Sequence, residues 1–245
     1  MSSRKHDSVY QNPLDQLADF EFNSQVVSVF EDMINRSVPG YGTIVHSIEH
    51  FARIFAQENT HCYDLGCSLG ASALSMQAGL NDKKNVKIIA IDNSLDMLKR
   101  AKTFVAKSPN DIMIDLQHAD VLDASIENAS LVTLNFILQF IEPKQRDNLI
   151  NTIYQGMTDG ACLVLSEKIR FDDEHSQHTI TDLHHRFKSE QGYSHLEIAQ
   201  KRDSLENVMR VDTQAIHVER LKKTGFSHIQ QWYQNTAFVS YYAIK

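Results

Sequence analysis

Between Cys62 and Glu167, short apolar runs alternate with amphipathic stretches, and this rhythm constrains the chain more than any other feature. A run of four to six mostly apolar residues suits a strand buried on both faces of a parallel sheet. Successive parallel strands need helical crossovers, so the pattern specifies βαβ units. Strands are predicted at 62–65, 86–91, 112–117, 131–136 and 162–167, with helices over 71–78, 95–106 and 144–156. Pro143 falls near the first turn of the last helix, where its missing N–H costs nothing. Two helices precede the first strand. In 25–35, Val26, Val27, Phe30 and Ile34 recur at helical spacing; in 41–57, Ile44, Val45, Ile48, Phe51, Ala52 and Phe55 do, and Ser37-Val38-Pro39-Gly40 separates the two. The polar stretch from Asp173 to Arg220 reads as helix. The alternation returns at 226–233 and 237–244, which predicts an antiparallel hairpin completing the sheet. An α/β chain results, organised as one domain over 1–245, with N-terminal helices over 1–58 and a helical insert or cap over 173–222.

Charge narrows the function. The 245 residues carry a formal net charge of −7, and a protein built to grip a phosphate backbone would carry a basic excess instead. No stable nucleic-acid binding is expected. Cys62, Cys67 and Cys162 are odd in number and form no C-x-x-C pair, which suits free thiols in a reducing compartment. The polar start, Met1 to Tyr10, and the lack of any apolar run near 18 residues predict a cytoplasmic protein without a membrane anchor.

The segment Tyr63-Asp64-Leu65-Gly66-Cys67-Ser68-Leu69-Gly70 sits where the first strand turns into its helix. Gly66 and Gly70 admit close backbone approach, and the following helix offers free N–H groups, as in a nucleotide cradle. Asp92, ending the second strand about 20 residues on, is placed to accept both ribose hydroxyls of an adenosine. Asp120 after the third strand could take the adenine amine, and Asn135 ends the fourth. A nicotinamide dinucleotide favours G-x-G-x-x-G, and Asp64 would repel its pyrophosphate; S-adenosylmethionine, with its ammonium and sulfonium, suits a nearby carboxylate. Two other readings use the same residues. The glycines and acids could serve turn and capping roles alone, or Gly66-Cys67-Ser68-Leu69-Gly70 could be a hydrolase elbow with Ser68 as nucleophile and partners among Asp172, Asp173, His184 and His185. Against the elbow, only helices precede the first strand.

His175, His178, His184 and His185 share one helical stretch without a metal-binding signature, and they read as a solvated polar face; no metal is expected. The charges from Glu197 to Arg202 read as another wet face, unless a guanidinium there reaches a carboxylate. Tyr41 either folds over the ligand or only begins a helix.

Several segments together resemble the carboxy-S-adenosyl-L-methionine synthases. They are R-S-V-P-G-Y (36–41), Y-D-L-G-C-S-L-G (63–70), I-I-A-I-D-N-S (88–94), I-E-N-A-S (126–130), L-N-F (134–136), L-V-L-S-E-K (163–168), G-Y-S (192–194), Q-K-R (200–202) and L-E-N-V-M (205–209). The Y-D-L-G-C-S-L-G motif is general to class I methyltransferases, whereas R-S-V-P-G-Y and the stretch from Q-K-R to L-E-N-V-M are particular to this family. The first twenty residues match poorly, and Thr158-Asp159-Gly160-Ala161 replaces a more usual Asn-Pro-Gly-Gly turn.

The resemblance implies a Rossmann-like class I methyltransferase fold and conversion of S-adenosylmethionine and prephenate to carboxy-S-adenosylmethionine, phenylpyruvate and water. The product serves wobble-uridine 5-oxyacetic acid modification of tRNA by a separate enzyme. On this reading aromatisation would drive loss of the prephenate ring carboxyl and hydroxide, the hydroxide would deprotonate the sulfonium methyl, and the resulting ylide would capture carbon dioxide in a dry pocket. By position, Tyr41, Gly66, Cys67, Ser68, Asp92, Asn93, Asp120, Val121 and Asn135 would bind the cofactor, and Arg202 would grip the new carboxylate. A homodimer is also implied, with the segment around Arg202 at its interface.

Overall fold

A computed structural model describes residues 5–14, 16 and 18–245. Seven strands form one sheet in the order β3-β2-β1-β4-β5-β7-β6. Strands β1 (His61–Leu65), β2 (Lys87–Asp92), β3 (Ile114–His118), β4 (Ala129–Asn135) and β5 (Met157–Lys168) run parallel. The hairpin of β6 (Ser227–Asn235) and β7 (Phe238–Ile244) adds antiparallel to β5, as the alternation at the C-terminus predicts.

Successive side chains on the parallel strands enter two different cores. Cys62, Ile88, Ala90, Leu131 and Val164 pack with Ile48 and Ala52 of α2 (Tyr41–Phe55) and Ala73 and Met76 of α3 (Ala71–Gly79). Their neighbours Tyr63, Leu65, Ile89, Val132 and Leu163 pack on the other face with Leu149, Ile150 and Ile153 of α5 (Pro143–Gly156) and Leu221 of α8 (Gln214–Thr224). Burial on both faces is what makes these strands read as continuous apolar runs. Pro143 occupies the first helical position of α5. The preceding α1 (Ser24–Ser37) is capped by Asn23, whose side chain accepts the N–H groups of Gln25 and Val26, and α4 (Leu95–Val105) is capped by Ser94.

Most boundaries fall within two residues of the periodicity, and two features differ by more. Strand β5 begins five residues earlier than its apolar core, because polar Thr158-Asp159-Gly160 stays in the strand; Gly160 takes φ +74° and donates its N–H to the Lys245 carbonyl. The helical stretch after Asp173 divides into α6 (Glu174–Glu190), α7 (His195–Leu205) and α8. Gly192 at φ +90° follows α6, and a reciprocal capping box between Ser194 and Glu197 starts α7.

The N-terminal segment lies along α7. Tyr10 donates its hydroxyl to Ser204, Gln200 holds the Tyr10 and Asn12 carbonyls, and the Phe20 N–H reaches the Ser204 carbonyl. No helix among the described residues is long and apolar enough to cross a membrane.

Candidate active site at the ends of β1 and β4

The strand order reverses between β1 and β4, since β1 continues to β2 on one side while β4 continues to β5 on the other. Loops leaving the carboxyl ends of such a pair diverge and open a crevice. A cavity of about 540 Å³ lies there.

Its floor is the loop after β1. The N–H groups of Gly66 and Cys67 both donate to the Ile91 carbonyl, at 2.8 and 2.9 Å, which ties this loop to β2. Asp92 completes the tie: one carboxylate oxygen accepts the Ser68 N–H and the other the Ser94 N–H, each at 2.8 Å. Gly66 has φ +74°, and a Cβ there would stand 2.1 Å from Ile137 Cδ1, so only glycine fits without displacing the cavity wall. Asp64 lies beneath the loop, accepting the Ala73 N–H and the Thr133 hydroxyl at 2.9 Å each. Burial pushes its carboxyl up to about 7. Glu167 does a matching task for the loop after β4, accepting the N–H groups of Ile137, Leu138 and Gln139.

Tyr41, Gly66, Cys67, Ser68, Asp92, Asn93, Asp120, Val121 and Asn135 all line this cavity. Tyr41 is both the first residue of α2 and part of the wall, with its ring 6.4 Å from Phe136. Asn135 donates its amide to Ser72 Oγ at 3.0 Å, while its Oδ1 is buried with no partner. An orphan acceptor on the wall of a cavity that also holds Asp92 and Asp120 fits an ammonium-bearing nucleoside such as S-adenosylmethionine. Arg202 is placed elsewhere: its side chain is 63% exposed, pairs with Asp203 at 2.8 Å, and is not part of the cavity wall.

Comparison with known proteins bears on this geometry. A methyltransferase-domain family matches residues 63–160, from β1 into β5. The carboxy-S-adenosyl-L-methionine synthase of Shewanella sediminis is 47% identical, covering 98% of this chain and 98% of that protein, and that of a Geobacter species is 48% identical, covering 99% and 100%. The chain belongs to the carboxy-S-adenosyl-L-methionine synthase family. The aligned region takes in most of the first twenty residues, where Tyr10 and Asn12 brace α7. Among solved structures, human N-acetylserotonin methyltransferase in complex with S-adenosylmethionine superposes with TM-score 0.59 at 15% identity, covering 99% of this chain and 63% of that one. A candidate S-adenosyl-L-methionine-dependent methyltransferase from Methanococcus maripaludis gives 0.59 at 19%, covering 95% and 97%. Both share the class I methyltransferase fold.

Membership in this family removes the hydrolase reading. Ser68, at φ +50°, directs its hydroxyl to Met97 Sδ at 3.3 Å, and its hydroxyl has no histidine partner among the described residues. The wet-face readings of α6 and α7 need correction. His175 and His178 are exposed, but His184 and Lys188 of α6, and Lys201 of α7, are buried and line the cavity with Lys168 from the end of β5. Burial and the neighbouring lysines push His184 down to about 3 and Lys188 down to about 7, and burial pushes Lys201 down to about 8. Sequence reasoning missed these lysines, although Lys168 and Lys201 fall within L-V-L-S-E-K and Q-K-R.

Proposed function

We propose that this chain converts S-adenosylmethionine and prephenate to carboxy-S-adenosylmethionine, phenylpyruvate and water, supplying the carboxylated product for wobble-uridine modification of tRNA. The observation that carries the reading is near-full-length identity of 45–48% to proteins named carboxy-S-adenosyl-L-methionine synthase. The cavity supports it with groups suited to each part of the nucleoside. Asp92 keeps lone pairs free beyond its two backbone contacts and can accept ribose hydroxyls; Asp120 stands after the next strand for the adenine amine; Asn135 Oδ1 awaits a donor.

S-adenosylmethionine supplies the acidic methyl group, and prephenate supplies both the base and the carboxyl group on aromatisation. The protein's task is then to hold the two substrates in register and exclude water, since hydroxide and carbon dioxide must react before they escape. Phe20, Phe22, Phe30 and Phe140 line the cavity with apolar surface suited to that exclusion. Arg202 sits on the exposed side of α7 and would grip the new carboxylate only when delivered to a cavity, which the proposed homodimer with α7 at its interface accomplishes. The enzyme would act in the cytoplasm on small molecules, without metal and without stable nucleic-acid binding.

The test is the mass of the nucleoside released on denaturation, before and after incubation with S-adenosylmethionine and prephenate. A species heavier by one carboxyl unit, formed with prephenate, is expected. Release of only the unmodified or demethylated nucleoside would instead indicate an ordinary methyltransferase.

A further inference from the structure

Three lysines converge on one part of the cavity wall from three different elements: Lys168 from β5, Lys188 from the last turn of α6 and Lys201 from α7. Lys188 is 8% exposed and Lys201 7%. Lys201 donates to Ser37 Oγ at 2.9 Å and feels the charge of Asp7, but Lys168 and Lys188 have no carboxylate within ion-pair distance among the described residues. Neither ammonium donates a hydrogen bond among the described residues. Each of Lys168 and Lys201 instead repels Lys188. Burying like charges without a counter-charge is unfavourable, and the wall facing them is open space rather than protein.

This cationic wall lies away from Asp92, the residue placed for the ribose. Lys168 ends β5 and Asp92 ends β2, with β1 and β4 between them. At about 4.8 Å per strand the two ends lie about 14 Å apart. The cavity therefore pairs an acidic end, suited to a cationic nucleoside, with a basic end suited to an anion.

We propose that Lys168, Lys188 and Lys201 form the subsite for the carboxylate that the co-substrate keeps through the reaction. The inference rests on the reading above that the co-substrate is prephenate, which carries two carboxylates, one on the ring and one on the side chain. Of the two carboxylates, one must leave as neutral carbon dioxide. Lysines gripping that group would stabilise its charge in the ground state and oppose its departure. A cationic wall holding the other carboxylate orients the ring without this penalty, and the same contact persists in the oxo-acid product.

The experiment compares the full-length wild type with Lys188→Met and Lys168→Met, measuring KM for prephenate, competitive inhibition by phenylpyruvate, and affinity for S-adenosylmethionine. Each variant is expected to raise the prephenate KM and the phenylpyruvate inhibition constant about tenfold or more, with S-adenosylmethionine affinity unchanged. Without ligand, Lys188→Met is expected to melt no lower than wild type, because it removes an uncompensated charge; a merely structural lysine would lower the melting temperature. Unchanged KM and inhibition constants in both variants overturn the subsite, while carboxylated product from the wild type would keep the reaction intact. Conversely, if the wild type makes no carboxylated product yet binds phenylpyruvate in a Lys188-dependent manner, the subsite stands and the reaction assignment falls.

Discussion

The carboxylate of Asp92 receives the backbone N–H of Ser68 at 2.8 Å, so the residue placed to hold the ribose also holds the loop that forms the cavity floor. The loop-capping role is present in the structure, and the proposed ribose contact would use the same side chain. Removing it should damage both. Asp92→Ala is expected to weaken S-adenosylmethionine binding about a hundredfold, with loss of two charge-assisted hydrogen bonds to backbone N–H groups worth about 1.5–3 kcal/mol each. Calorimetric titration and chemical denaturation of the same variant check the two effects separately.

Gly66 is expected to tolerate no side chain. Gly66→Ala places a methyl 2.1 Å from Ile137 Cδ1 at a residue with φ +74°. The backbone penalty is about 1–2 kcal/mol, and displacement of Ile137 adds overpacking of similar size. A lowered melting temperature together with weaker nucleoside binding is the expected outcome, and wild-type values for both would refute this account of the loop.

The buried lysine wall predicts a stability difference that depends on pH. Lys188 is held down to about 7 in the folded chain, against 10.5 for the free side chain. Between these values the unfolded chain binds more protons than the folded one at this site, so stability rises with pH across the window, and the penalty is complete below pH 7. The advantage of Lys188→Met over wild type should therefore be greatest below pH 7 and fade toward pH 10.5. Denaturation midpoints of the two proteins at matched pH test this, and titrating groups remote from Lys188 cancel in the comparison. An advantage that grew with pH would contradict the assignment.

Arg202→Ala is expected to leave stability within about 0.5 kcal/mol of wild type, as for an exposed side chain. Nucleoside affinity should also persist while the carboxylated product is lost. Measured by released-product mass alongside the mass of the protein in solution, retention of full product yield would remove Arg202 from the reaction, and a monomer would remove the proposed interface.

Much of the fold was readable from residue order. Apolar runs such as Ile88–Ile91 reveal strands buried on both faces, and Pro143 marks the start of α5 because a missing N–H is tolerated only there. The cavity-lining residues were readable for a related reason: Asp92 and Asn135 end strands and Gly66 follows one, and in a parallel sheet strand ends converge on one edge. The basic wall was not readable in this way. Periodicity distinguishes apolar from polar faces, but a polar face can meet either water or a cavity, and Lys188, Lys201 and His184 sit on helices whose charged neighbours are exposed. Arg202 and Lys201 are adjacent in the chain, yet a helical turn of about 100° between successive residues sends one to the surface and the other inward. Sequence by itself determined the sheet and the cradle, because both depend on local patterns. Only the packing of α6 and α7 against Ser37 at the end of α1 decided which charges on those helices face the cavity, because that choice is made by contacts between segments more than 100 residues apart.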